Sequence, residues 1–340
     1  MEFIGIDLHK NESQVCMLTG EGEILERRID TRAERLVELL GRRPRSRILL
    51  ESSTESEWVA RCLESLGHEV VVADPNYAPM YATRSRRVKT DRRDAQALLD
   101  ACRLGAYRAA HRTSDAQRLV RAGLSTRDAL VRTRTRLILV LRALLRREGL
   151  RVRSGQSSSF ARRVLELEVP AGLAADRDHL LKVMDVVNAE VAHLDARFAD
   201  LADRDHVIRR LCSVPGVGAI TAAAFVSTLD RVERFRRAHE VEAYLGLVPS
   251  ETSSGERRQR GSVTKAGNGR VRWLLVEAAW IVLRTRRADT RQLREWAEGI
   301  ARRRGRRIAA LALARRIAGI LFALWRDGTT YRAPAFDGTT

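Results

Sequence analysis

With 340 residues, 44% of them hydrophobic, the chain can bury a substantial core and divides more naturally into two or three domains than one. Its 62 lysines and arginines against 43 aspartates and glutamates leave a formal charge of +19, which asks for a polyanionic partner and puts nucleic acid ahead of an anionic membrane. Four cysteines, Cys16, Cys62, Cys102 and Cys212, have no paired spacing, which argues against a zinc site and a disulfide framework.

The first element reads FIGIDLH, Phe3 to His9, short, apolar and β-rich. Ser13 to Thr19 follows, and a Gly-Glu-Gly turn leads to Glu23 to Ile29, so three strands form a meander. RAERLVELLGRR then has helical spacing, Ser46 to Ser52 is a buried strand, EWVARCLESLG is a second helix ending at Gly67, and Glu69 to Asp74 is a strand. The order βββαβαβ followed by helices is that of an α/β RNase H-like domain. A doubly wound nucleotide-binding domain would alternate from its first strand and needs a Gly-rich first turn, which DLHKNES lacks. No basic head, apolar run and small-residue cleavage site precede these strands, so a cytoplasmic protein is expected.

From Asp115 to about Arg147 the pattern is helical, apolar on one face and arginine-rich on the other, and RSGQSSS, Arg153 to Ser159, marks a boundary. Leu180, Met184, Val187, Val191, Leu194, Phe198 and Leu201 then alternate four and three apart, a heptad seam that reads either as a plain core face or as a helix pairing, within the chain or between chains. A compact, mostly helical region runs from Leu211 to about Trp325, and the tail from Thr329 reads as disordered. The expected divisions are therefore 1–152, 153–208, 209–328 and 329–340. The long uncharged stretch Leu211 to Leu229 is interrupted by Pro215, Gly216 and Gly218, so no membrane-spanning helix and no membrane partner are expected.

Four carboxylates stand out. Asp7 lies inside an apolar strand, where it is costly unless something positive meets it, and Glu51 ends the next buried strand. Asp91 and Asp94, in VKTDRRDA, are three apart and share one face of a helix. Capping by Thr90 or Asp91 would account for the last two, but not for Asp7 or Glu51. Converging from two strands and a helix, the four suit Mg²⁺, and two such ions can clamp the attacking and leaving oxygens of a phosphodiester. Arg84, Arg86, Arg87, Arg92 and Arg93 then read as phosphate contacts around the acids. Most of the cations are arginine, and three of the four lysines, Lys10, Lys89 and Lys265, fall in the stretches that carry the chemistry.

In the second half, SVPGVGAITAAAF fits a helix-hairpin-helix turn in which Gly216 and Gly218 would expose backbone N–H groups to a phosphate, or a plain tight turn between packed helices. The stretch SSGERRQRGSVTKAGNGRVR brings serines and glycines together with Arg257, Arg258, Arg260, Lys265, Asn268, Arg270 and Arg272, a loop suited to a bulky polyanion. One of its serines could act as a nucleophile.

From GIDLHK through VKTDRRDA to SSGERRQRGSVTKAGNGRVRWLLVEAA the chain resembles the DEDD-type insertion-sequence transposases, the bridge-RNA-guided recombinases. The resemblance implies a RuvC-like domain carrying Asp7, Glu51, Asp91 and Asp94, a coiled-coil middle, and a C-terminal transposase domain with a catalytic serine before glycine. That serine maps onto Ser254, with Ser253 and Ser262 as neighbours that could replace it. It further implies a noncoding guide RNA pairing with donor and target DNA, and a dimer or tetramer in which Ser254 of one subunit completes the acidic site of another. After Glu51 the sequence SSTESEW departs from the family's Thr-Gly-aromatic pattern, which makes Glu55 and Glu57 weaker rivals for the metal role. A junction-resolving or single-strand nuclease using water, and a non-catalytic nucleic-acid-binding protein, are the competing readings.

Overall fold

The computed structural model describes residues 1–82, 90–254 and 257–333, with the backbone alone for 252–254 and 257–260. It divides into two compact units, Met1–Thr113 and Ser114–Thr340.

The first unit runs β1 (Glu2–Leu8), β2 (Glu12–Leu18), β3 (Ile24–Asp30), α1 (Ala33–Leu40), β4 (Ser46–Glu51), α2 (Ser56–Ser65), β5 (Glu69–Ala73) and α3 (Asp91–Leu104), which matches the expected order. The sheet order is β3-β2-β1-β4-β5; β1 to β3 form the antiparallel meander, and β1, β4 and β5 are parallel. The central strands read as near-continuous apolar runs because both sheet faces are covered. Ile4, Ile6 and Leu8 pack with Ile48, Leu50 and Val72 against Leu36 and Leu40 of α1 and Val59 and Leu63 of α2. On the other face Leu49 and Cys16 meet Ala95, Leu98, Leu99 and Cys102 of α3. Gly5 decides how close that helix comes, since a Cβ there would overlap Leu99 N and Ala95 O. The backbone of α3 therefore rests directly on β1.

The second unit begins with α4 (Asp115–Arg147), followed by α5 (Phe160–Leu165), α6 (Ala171–Arg204), α7 (His206–Leu211), α8 (Ala219–Leu229), α9 (Ala238–Tyr244), β6 (Pro249–Ser254), β7 (Arg257–Val263), α10 (Gly269–Arg284), α11 (Arg291–Arg304) and α12 (Arg306–Asp327). Gly123 faces Phe198, Arg127 pairs with Asp195 at 2.5 Å, and Leu141 and Leu145 share a core with Leu181 and Met184, so α4 and α6 run antiparallel. The heptad seam is thus covered inside the chain by α4 and serves as a core face. At its C-terminal end burial passes from Leu201 to Ala202, as a straight helix of 3.6 residues per turn requires of a 3.5-residue repeat.

The first compact unit ends at 113, inside the expected 1–152 division, because α4 packs with the helices that follow it. Arg121 donates to the carbonyls of Ser227 (2.7 Å) and Thr228 (3.1 Å) at the end of α8. Asp230, at φ +66°, accepts from Ser114 N (3.1 Å) and Oγ (2.5 Å) at the start of α4. Each helix end supplies the other's missing partner. Helix α12 is long and apolar enough to span a bilayer, but Leu313, Ala314, Ile317, Leu321 and Phe322 are buried in the core shared with α8 and α10. The stretch expected as a loop around the serines contains the antiparallel hairpin β6–β7, whose polar sequence carries no apolar alternation by which to read it. In the tail, Tyr331 N donates to Ser213 Oγ at 2.8 Å, and 334–340 lie outside the described residues.

Candidate functional site

Strand periodicity sets the acids in place. Gly5 and Asp7 on β1, and Leu49 and Glu51 on β4, fall on the sheet face under α3. Thr90 caps α3, its hydroxyl accepting from Arg93 N at 3.4 Å, which leaves Asp91 and Asp94 in the first turn beside Asp7. Asp7 and Asp94 are each only 7% exposed, Glu51 is half-buried and Asp91 is open to solvent. Tyr81 donates its hydroxyl to Glu51 Oε2 at 2.5 Å.

The electrostatics are those of crowded carboxylates. Burial pushes the Asp7 carboxyl up to about 6, His9 opposes the shift, and Asp94, Asp91 and Glu51 add to it. Asp7 Oδ2 is buried and accepts no hydrogen bond among the described residues. An orphaned carboxylate oxygen at the bottom of an acidic cleft is expensive, and a divalent cation would satisfy it. The donor set of hard oxygens fits Mg²⁺ or Mn²⁺.

His9 joins this group although sequence reasoning passed over it. Its Nε2 lies 3.3 Å from Asp7 Oδ2 and 3.6 Å from Asp91 Oδ1, and these three residues can offer donor atoms within 4.8 Å of one another. The signal was available, since His9 follows Asp7 by two residues. The rivals Glu55 and Glu57 are engaged elsewhere: Glu55 accepts from Trp58 Nε1 at 2.6 Å, and Glu57 pairs with Arg112 at 3.0 Å.

The expected binding residues separate into two groups. Lys10 is exposed and lines a cavity of about 250 Å³ with His9, Arg28 and Asp91, next to the acids. Arg93 and Lys265 are exposed, the latter at φ +55°, and Arg92 pairs with Glu26. By contrast, Asn268 caps α10, accepting from Arg270 N and Val271 N, and donates to Thr228 Oγ1 at 3.1 Å. Arg270 reaches Asp128 at 3.2 Å, and Arg272 donates to the carbonyls of Leu245 and Ala266, both at 2.9 Å. Gly216, at φ +82°, faces Ala278 O, which a Cβ would approach to 2.5 Å, while Gly218 stands in open space before α8. Arg84, Arg86, Arg87 and Lys89 lie outside the described residues, as do the side chains of Arg257, Arg258, Arg260, Ser253 and Ser254; the Ser254 backbone ends β6 opposite Arg257, and Ser262 is exposed on β7. Sequence reasoning did not single out Arg142, Arg146 and Arg151, which line a cavity of about 420 Å³ and form no ion pair among the described residues.

Comparison with known proteins places this arrangement. The IS110-type DEDD transposase domain matches residues 4–148, which hold all four acids, and the IS116/IS110/IS902 transposase family matches residues 208–295, which hold the three serines. A probable family 20 transposase of Pseudomonas aeruginosa is 31% identical, covering 97% of this chain and 98% of its own length. The chain belongs to the IS110/IS116 family of transposases. The IS1111A transposase of Coxiella burnetii is 28% identical over 98% of this chain and 92% of its own, and the IS1328 transposase of Yersinia enterocolitica 27% over 96% and 98%. As a transposase the protein is a DNA-cleaving and recombining enzyme, and its DEDD domain accounts for the RNase H-like order of the sheet.

Proposed function

We propose that this transposase cuts and rejoins insertion-sequence DNA at a Mg²⁺ centre held by Asp7, Glu51, Asp91 and Asp94, with Ser254 as nucleophile. The observation that carries the metal centre is the buried Asp7 Oδ2, which accepts no hydrogen bond among the described residues and lies among three further carboxylates. Bound Mg²⁺ supplies charge stabilisation at the phosphodiester. Asp7 and Asp94, fixed by burial, set the position of the centre; Asp91 at the cleft mouth and Glu51, held by Tyr81, complete it. The Ser254 oxygen would bond to phosphorus as the bond from phosphorus to one strand oxygen breaks, and the serine proton would pass by way of a base to that oxygen, which leaves as a hydroxyl. The phosphoserine link keeps the bond energy for rejoining. Ser254 is favoured over Ser253 and Ser262 by the family's serine-before-glycine pattern. A noncoding guide RNA would supply target recognition, and a homo-oligomer would do the work on paired DNA ends. The +19 charge provides the affinity, to which Lys10, Arg93 and the Arg142–Arg146–Arg151 cavity would contribute as phosphate contacts.

End-labelled element DNA on denaturing gels tests the reading. Cleavage that needs Mg²⁺, a covalent protein–DNA adduct, loss of cleavage in Asp7→Asn and loss of the adduct in Ser254→Ala are expected. Cleavage without adduct would make the protein a water-using nuclease, and an adduct lost only in Ser262→Ala would move the nucleophile to β7.

A further inference from the structure

We propose that His9 is a nitrogen ligand of the metal centre, which makes that centre bind Mn²⁺ in preference to Mg²⁺. The inference deepens the metal-centre reading above and rests on it. Two ligands held about 2.2 Å from one ion at right angles stand roughly 3 Å apart. His9 Nε2 stands 3.3 Å from Asp7 Oδ2 and 3.6 Å from Asp91 Oδ1, the separations of neighbours around a single cation. The first approach lacks hydrogen-bond alignment, since Asp7 Oδ2 accepts no hydrogen bond among the described residues. A histidine serving Asp7 as a simple donor would satisfy that oxygen, and this one does not.

The backbone under His9 is fixed by buried hydroxyls. Thr31 Oγ1 donates to the His9 carbonyl at 2.8 Å and is bonded to Ser13 Oγ at 2.6 Å, and Thr31 N donates to Asn11 O at 2.8 Å. Ser13 in turn sits opposite Leu8 in the β1–β2 register. The loop is thus pinned from β2 and from the end of β3, and the imidazole is held beside the cleft at little further ordering cost. The consequence for selectivity follows from ligand chemistry. Mg²⁺ prefers oxygen donors and retains its waters, whereas imidazole nitrogen favours transition ions, so one such ligand tilts an otherwise all-oxygen site toward Mn²⁺.

Electron spin-echo spectroscopy of Mn²⁺ bound to the full-length protein reads the ligand directly and needs no turnover. The wild type should show ¹⁴N modulation from a directly bound imidazole, converting to ¹⁵N in protein made with labelled histidine and absent in His9→Gln. That variant should bind Mn²⁺ about tenfold more weakly, with Mg²⁺ affinity less affected. Mn²⁺ that binds the wild type and is lost in Asp7→Asn, yet shows no nitrogen modulation, overturns the role of His9 and leaves the acidic centre standing. Mn²⁺ that fails to bind, or binds Asp7→Asn equally well, overturns the acidic centre and this inference with it.

Discussion

Two places in the chain use the same device to different ends. Gly5 lets the backbone of α3 lie on β1, and Gly216 lets the turn before α8 close on the Ala278 carbonyl of α10. At Gly5 the close approach gathers carboxylates faster than it gathers partners, and a buried oxygen of Asp7 accepts no hydrogen bond among the described residues. At the other end of α10, the helix on which Gly216 closes, the N-terminal polar groups are spent on the chain itself: Asn268 caps, Arg270 pairs with Asp128, and Arg272 braces two carbonyls. A charge that looks functional in sequence earns that reading only when the fold leaves it wanting a partner.

The sharpest way to break the contrast is at Gly5. Gly5→Ala should push α3 off the sheet, costing about 3 kcal/mol of stability by chemical denaturation and abolishing strand cleavage. Stability and cleavage close to wild type would show that the helix does not need that contact.

Asp7→Asn should do the opposite to stability. With the carboxyl at about 6 in the folded chain against an ordinary 3.8, its ionisation costs stability that is lost as pH rises from 4 through 6. The variant should therefore be more stable than the metal-free wild type at pH 7.5, by on the order of 2 kcal/mol, and gain nothing below pH 4. Divalent metal should close the gap by stabilising the wild type alone.

Arg272→Ala should cost about 1 kcal/mol through its two lost carbonyl bonds. Because the role is structural, the salt dependence of DNA binding should keep its slope. The smallest effect on stability belongs to Lys10→Ala, within about 0.5 kcal/mol of wild type, since the side chain is exposed. There the DNA affinity should fall and the slope of log K against log salt should drop by about one unit. A reversal of these two slopes would overturn the division between braced and available cations.

Local pattern made much of the protein legible. The strand and helix order of the first unit and the bounds of α4 could be read because strand alternation, helical periodicity and capping act over a few residues. What needed the tertiary structure was every fact set by distant chain meeting distant chain. The boundary at 113 depends on Arg121 and Asp230 tying α4 to α8, and the heptad seam is covered because α4 folds back antiparallel on α6. Sequence marked Asp7, Glu51, Asp91 and Asp94 as candidates. The place of His9 beside Asp7 and Asp91, and the intrachain bonds of Asn268, Arg270 and Arg272, were decided by packing, because whether a polar group is satisfied depends on which backbone the fold brings against it.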